Sequence, residues 1–211
     1  MLPLAQGLLK FSHCQRDVFC SRVPPLCPIC GQSVVASWRL EEAPVHVPCP
    51  FVNGHREKCS FLVKPTRGEF LGDYDGDSDL HVGITDTSGV VYHYNETGVR
   101  GDTLGWEQCV SVPLVPPDNY ALIDQWDGYL TEHAASEQWL PHRYSERDHN
   151  CCSFALRFIN RILSLLEKPP LSTTQFTERF VLPRTRRASK YLSVCREVSQ
   201  HGFYAVHRED R

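Results

Sequence analysis

The distribution of apolar and polar residues predicts a mixture of strands and helices. The segments LHVGI (80–84) and GVVYHY (89–94) are rich in β-branched and aromatic residues, and the short polar run between them indicates a β-hairpin. Apolar residues recur at helical intervals over 118–135 and form one broad stripe over 151–166. We therefore expect a hairpin followed by two helices, the first capped by Asp118 or Asn119.

The remainder of the chain predicts a short C-terminal set of elements. Pro169-Pro170 ends the second helix, and 173–180 forms a further short segment. Another helix is expected over 185–200, where His201-Gly202 stops it, and FYAVH then forms a terminal strand. The predicted fold class is therefore α+β.

Composition is that of a soluble globular protein of 211 residues, with 41% hydrophobic and 22% charged residues. The formal net charge of -3 gives no reason to expect nucleic acid or another polyanion as a partner. The first ten residues do not resemble a secretory signal, and no apolar run of about 18 residues indicates a membrane span. We expect a cytoplasmic or nuclear location, where cysteines are reduced, metal-bound or catalytic.

Cysteine density divides the chain into two regions. Residues 1–66 form a predicted cysteine-rich module, and 67–211 form a predicted second domain, joined near the Pro-Thr-Arg-Gly stretch at 65–68. The cysteines of the first region are Cys14, Cys20, Cys27, Cys30, Cys49 and Cys59.

The stretch Cys27-Pro-Ile-Cys30-Gly predicts half of a structural zinc site that resembles a zinc ribbon, since two thiolates across a tight turn chelate one side of a tetrahedral Zn²⁺. Cys49 and Cys59 are the candidates for the other half, with His55 as an alternative fourth ligand. Three further residues are able to substitute: His13, Cys14 and Cys20. Buried thiols or, more weakly, a redox pair are the other interpretations of this spacing.

Cys151 is the candidate nucleophile. It stands in the first turn of a predicted helix if Asn150 is the cap, where free N–H groups and the helix dipole favour a thiolate. His81 and His93 are expected near one end of the hairpin, with His81 as the base and His93 as the group that orients it. The competing interpretation is a buried cysteine and two structural histidines.

The order HVGI, VVYHY and then NCCSF resembles the circularly permuted papain-like fold of the lecithin:retinol acyltransferase and phospholipase/acyltransferase group and, more distantly, the PPPDE-type peptidases. In that group a second histidine follows the first by twelve positions, and the nucleophile lies in an Asn-Cys-x-x-Phe motif. The resemblance covers about 67–170 and implies Cys151 as nucleophile, His81 as base and His93 as the third polar residue.

Two departures from that group change the expected substrate. Its acyltransferases end in an apolar membrane anchor, whereas this chain ends in Arg208-Glu-Asp-Arg211, so membrane lipids are not the expected substrates. Its motif also commonly continues with Glu and His, where this chain has Cys152 and Ser153. The sequence predicts a thiol hydrolase or acyltransferase acting on an ester, thioester or amide, with an acyl compound or peptide as substrate.

The second functional hypothesis is a catalytically inactive module that binds a protein partner and is stabilised by zinc.

Two other sequence patterns do not indicate a function. The acidic run 73–79 lacks the glycine and bidentate glutamate of a calcium loop, and the basic residues over 184–190 lack the interleaved aromatic residues that a nucleic-acid surface would supply.

Overall fold

The computed structural model describes residues 7–34 and 40–208, which form a mixed α+β structure with two antiparallel sheets. Residues 1–6 and 209–211, on which the expectations about a signal and an anchor partly rest, lie outside this part. The strands are β1 (Leu8–His13), β2 (Arg16–Cys20), β3 (Glu42–Val47), β4 (Ser60–Pro65), β5 (Leu80–Thr85), β6 (Val91–Asn95), β7 (Gly98–Asp102), β8 (Val110–Pro113) and β9 (Phe203–His207). The helices are α1 (Tyr120–Ala134), α2 (Cys151–Leu165), α3 (Thr173–Phe176) and α4 (Leu182–His201).

The chain forms two compact units whose limits differ from the predicted 1–66 and 67–211. The first unit combines Met1–Pro50 with Ala188–Arg211, and the second is Phe51–Arg187. Strand pairing explains the difference: β4 lies between β5 and β8 in the sheet of the second unit, and β9 returns to pair with β2 in the first. The predicted boundary was based on cysteine density, which contains no information about either strand pairing.

The first unit is built on a sheet with the strand order β3-β1-β2-β9. Its core contains Phe11, Val18, Cys20, Cys27 and Val34. The expected terminal strand is confirmed as β9, whereas the hairpin of β1 and β2 was not predicted, because its apolar positions are interrupted by polar ones.

The second unit holds a sheet with the order β7-β6-β5-β4-β8, and the predicted hairpin is confirmed as β5 and β6. Its turn is closed by Asp86, whose carboxylate accepts hydrogen bonds from the N–H groups of Ser88 and Val90. Gly89 adopts a φ of 93°, and a Cβ there would stand 2.1 Å from the carbonyl oxygen of His55. Only glycine fits this turn.

The two predicted helices are confirmed as α1, capped by Asn119, and α2, capped by Asn150. The buried stripe of α2 packs against β5 and β6. The residues of that stripe are Cys151, Phe154, Ala155, Phe158, Ile159 and Ile162. This packing places the N-terminus of α2 beside the hairpin.

Phe158 tests whether this packing supports the second unit. It is fully buried and meets Trp126 edge to face at 4.9 Å between ring centroids. We expect Phe158→Ala to lower the free energy of unfolding by about 3–5 kcal/mol, because it leaves a cavity. Leu165→Ala on the same helix is the control: that side chain is 50% exposed, and the change should cost about 0.5 kcal/mol or less. Urea denaturation measures both, and equal costs would contradict the packing.

Candidate functional site

His81 on β5 and His93 on β6 form a direct pair. The register, with Ile84 opposite Tyr92, makes the two histidines diagonal neighbours on one face of the sheet. His81 Nε2 lies 2.8 Å from His93 Nδ1, and the rings meet at 85°. The sequence predicted both histidines near one end of the hairpin, and the structure joins them by a hydrogen bond.

Asp102 extends this pair, and sequence reasoning missed it. It ends β7, diagonal to His93 across the β6–β7 pairing, and its Oδ2 lies 2.8 Å from His93 Nε2. The available signal was an aspartate nine residues after His93 in a short strand-like segment, GVRGD, that the pattern analysis did not assign. The structure thus contains a hydrogen-bonded line from Asp102 through His93 to His81.

Trp106 covers the two histidines. Its ring is buried, with its centroid 5.8 Å from that of His81 and 5.5 Å from that of His93. The ammonium of Lys64 lies over the same ring at 5.2 Å. Water is therefore restricted around the imidazoles, and burial, followed by the charge of His81, holds the pKa of His93 below its ordinary value despite Asp102.

Cys151 occupies the first helical position of α2 and is 7% exposed. Its pKa is lowered to about 4. The largest cause is the side chain of Cys152, and His81 and the backbone N–H of Val82 act in the same direction against the effect of burial. Cys152 shows the opposite behaviour, because its contact with Cys151 raises its pKa. Of the two adjacent cysteines, Cys151 is therefore the one whose environment favours the thiolate.

The first turn of α2 leaves one backbone donor beside the sulfur. The side chain of Asn150 accepts hydrogen bonds from the N–H groups of Cys152 and Ser153, at 3.0 and 3.2 Å. Among the described residues, the N–H of Cys151 has no such partner. Of these three N–H groups, that of Cys151 is therefore the one left to donate a hydrogen bond to an oxyanion.

The sulfur and the imidazoles open into a groove of about 770 Å³. Its lining is mostly polar or charged and includes the basic residues Lys64 and Arg67 and the acidic residues Asp79, Glu96 and Glu146. Leu80 and Trp106 are the large apolar side chains that contribute to it. Such a groove fits a polar acyl compound or peptide better than a lipid chain.

A second cluster of reactive groups lies in the first unit. His13, Cys14, Cys27 and Cys30 bring their ligand atoms within 4.8 Å of one another, close enough to hold a metal ion. The sulfurs of Cys14 and Cys27 are 3.9 Å apart, and Cys30 Sγ is 3.5 Å from His13 Nδ1. Tetrahedral zinc with Zn–S near 2.3 Å and Zn–N near 2.05 Å requires separations of about 3.8 and 3.6 Å. The Cys14–Cys27 and His13–Cys30 separations are close to these values.

Two tight turns produce the cluster. Cys14 and Gln15 join β1 to β2, and both have positive φ, 47° and 61°, a costly conformation for residues other than glycine. Cys27 and Cys30 stand in a turn closed by the hydrogen bond from Gly31 N–H to the Cys27 carbonyl at 2.9 Å. Strain at Cys14 is consistent with a thiol held in place for a ligand.

The predicted second half of the metal site requires correction. Cys27 and Cys30 are joined by His13 and Cys14, which the sequence analysis kept as substitutes, and neither Cys49 nor Cys59 belongs to the group. Cys49 interacts with Tyr191, whereas Cys59 is buried at the start of β4.

His55 and Cys20, which the sequence also offered as ligands, have different roles. The Nδ1 of His55 lies 2.8 Å from the carbonyl oxygen of Gly89, and Cys20 packs in the apolar core of the first unit. Linear spacing suggested the wrong partners because β1 and β2 fold back on the Cys27–Cys30 turn.

Family models match both regions of the chain. The model described as DUF4796 C-terminal matches residues 44–198, and the one described as DUF4796 N-terminal matches residues 6–34. The chain belongs to the DUF4796 family. A human relative, MKRN2 opposite strand protein, is 50% identical over 201 residues, which cover 95% of this chain and 90% of the relative. The name of that relative assigns no chemistry.

No solved structure matches this DUF4796 chain. In the part of the chain that the structure describes, no helix has the length and apolar character needed to cross a membrane.

Gly83 tests how closely the site of this DUF4796 protein is packed. A Cβ there would stand 2.6 Å from Val91 Cγ1 and 3.0 Å from the Trp106 ring. We expect Gly83→Ala to cost about 1–3 kcal/mol of unfolding free energy, because the side chains around it must move. The control is Gly128→Ala in α1, where no atom lies within 4 Å and the change should stabilise by about 0.5–1 kcal/mol. Thermal denaturation compares them, and a neutral Gly83→Ala would contradict the packing.

Proposed function

We propose that the second unit is a cysteine-dependent hydrolase or acyltransferase that acts on an ester, thioester or amide. The single observation that carries this proposal is the meeting of Cys151 at the N-terminus of α2 with the imidazole of His81, in an open polar groove. A nucleophile, a base and a group that orients the base are the parts that covalent acyl transfer requires.

The reaction divides among these groups as follows. The thiol proton of Cys151 passes to His81, and the thiolate attacks the carbonyl carbon of the substrate. The N–H of Cys151 donates a hydrogen bond to the oxyanion that forms. Collapse of the intermediate breaks the bond to the alcohol, thiol or amine, which takes the proton from His81 as it leaves. Water or a second acceptor then attacks the acyl-enzyme with His81 as base, and the thiol is restored.

The fold proposed for this unit is the circularly permuted papain-like one. In its support, an antiparallel sheet that carries two histidines precedes the cysteine-bearing helix along the chain, and that helix packs against the two histidine strands. The polar groove favours a polar acyl compound or peptide over a membrane lipid.

Alkylation of Cys151 by iodoacetamide against pH tests the proposed chemistry. The lowered pKa predicts that the rate reaches its plateau well below the ordinary thiol midpoint of about 8.5 and falls only as the pH approaches 4. His81→Ala should move the midpoint toward the ordinary value, because the acceptor of the proton is lost. Mass spectrometry reads the modified peptide, and Cys152→Ser leaves a single reactive thiol at the pair while keeping a hydroxyl donor in the place of the Cys152 thiol.

An unreactive Cys151, or a midpoint near 8.5 with and without His81, would contradict the enzyme proposal and favour the inactive protein-binding module. A low midpoint justifies a screen of ester, thioester and amide substrates, in which Cys151→Ser should reduce turnover by at least about a hundredfold.

We also propose that His13, Cys14, Cys27 and Cys30 hold a structural Zn²⁺. Four protein ligands leave no open position, which is the arrangement of structural rather than catalytic zinc. The ion would tie the β1–β2 turn to the Cys27–Cys30 turn, two segments otherwise held by a small apolar core. Backbone N–H groups of Cys30 and Ile29, acting against burial, keep the pKa of Cys27 below its ordinary value, as a ligand thiolate requires.

Metal content and stability test this ligand set. We expect about one zinc per chain by elemental mass spectrometry, retained in Cys49→Ser and lost in Cys14→Ser. Removal of the metal by a chelator should lower the melting temperature of the wild-type protein and leave that of Cys14→Ser unchanged. Zinc retained in Cys14→Ser, or lost in Cys49→Ser, would contradict the set.

A further inference from the structure

We propose that Asp102 is a positioning residue that fixes the protons of both histidines, so that Nδ1 of His81 is the nitrogen that accepts the thiol proton of Cys151. The inference rests on the proposed function and assigns a fourth member to its site. It follows from two hydrogen bonds in series and from the number of protons that each group is able to donate.

The first link runs from Asp102 to His93. An ionised carboxylate accepts hydrogen bonds and has no proton to donate. Its Oδ2 lies 2.8 Å from His93 Nε2, so Nε2 carries the proton of that bond. This fixes His93 as the tautomer with a bare Nδ1, provided that the ring is neutral.

His93 is held neutral by its surroundings. The ring is buried, and the ammonium of Lys64 on β4 also opposes a second proton on it. Asp102 favours the charged form, and burial outweighs it. The Nδ1 of His93 is therefore an acceptor.

The second link passes this choice to His81. Because His93 Nδ1 accepts, His81 Nε2 at 2.8 Å must donate and therefore carries a proton. The remaining nitrogen of His81, Nδ1, is then the one that takes up the thiol proton, on the side of the ring that is not engaged by His93. Cys151 is the thiol in contact with that imidazole.

Reversal of the first link would disable the base. If the group at position 102 donated to His93 Nε2, His93 would carry its proton on Nδ1, and His81 would have to accept at Nε2. Its proton would then sit on Nδ1, facing Cys151, where no thiol proton could be taken up. An asparagine side chain is able to donate in this way through its NH₂ group. The Asp-to-Asn change in a serine-protease triad likewise leaves the catalytic histidine in the wrong tautomer.

Other polar and charged groups line the groove without taking part in the hydrogen bonds from Asp102 through His93 to His81. Cys152 contacts the Cys151 sulfur from the same helix. The groove is also lined by Glu96, Glu146 and Tyr144, and by Lys64 and Asp79 next to β4 and β5. A test must therefore distinguish the effect of breaking these hydrogen bonds on Cys151 from the effect of removing one negative charge from the groove.

The alkylation midpoint of Cys151 in Asp102→Asn, with Asp79→Asn as the matched control, makes this separation. Both substitutions remove one carboxylate from the groove, and only the first touches the line. We expect Asp102→Asn to raise the midpoint of Cys151 alkylation by about one unit, which slows alkylation by about tenfold at a pH below both midpoints. Asp79→Asn should stay within about twofold of wild type.

Nitrogen NMR of histidine-labelled protein provides a readout that does not depend on thiol reactivity. The proposal requires His93 of the wild-type protein to be protonated at Nε2 alone near neutral pH. In Cys151→Ser, which removes the thiolate, His81 should likewise be protonated at Nε2. In Asp102→Asn, the proton of His93 should appear at Nδ1.

The outcomes separate this inference from the proposed function. A low wild-type midpoint that Asp102→Asn leaves unchanged, or a His93 proton on Nδ1 in the wild-type protein, overturns the role of Asp102 and leaves the nucleophile in place. A wild-type midpoint at the ordinary thiol value overturns the proposed function, and the role of Asp102 with it. A shift in Asp102→Asn alone, with the expected tautomers, supports both.

Discussion

The packing of α2 against β5 and β6 is the constraint on which the candidate site depends. It brings the N-terminus of one helix, with Cys151 in its first turn, to the strand that carries His81. Burial alone would raise the pKa of this thiol; the Cys152 side chain, the imidazole and the Val82 N–H reverse that effect. The apolar stripe of α2 therefore does more than stabilise the unit: it buries Cys151, whereas the neighbouring Cys152 is exposed.

Local patterns predicted much of this arrangement. The hairpin of β5 and β6 followed from two segments rich in β-branched and aromatic residues and the polar turn between them, and α2 followed from a broad apolar stripe that begins after an asparagine. His81, His93 and Cys151 were selected from those elements and from a family resemblance. The structure places the three around one groove, although their catalytic roles remain the proposal made above.

Residues joined across separate strands could not be predicted in the same way. Asp102 reaches His93 because β7 pairs with β6 in one particular register, and a short strand interrupted by glycines carries little signal. His13 and Cys14 join Cys27 and Cys30 because two turns with unusual backbone angles fold together. In both cases the sequence contained the correct residue types, and the partner depended on strand pairing that no local pattern encodes.

The most direct measurement of the central claim is a titration of thiolate absorbance in the ultraviolet, taken as the difference between wild type and Cys151→Ser. The account predicts that the difference signal is already complete at neutral pH and disappears only as the pH falls toward 4. A difference signal that develops around pH 8.5, as for a free thiol, would contradict it, because Cys151 would then be an ordinary buried cysteine.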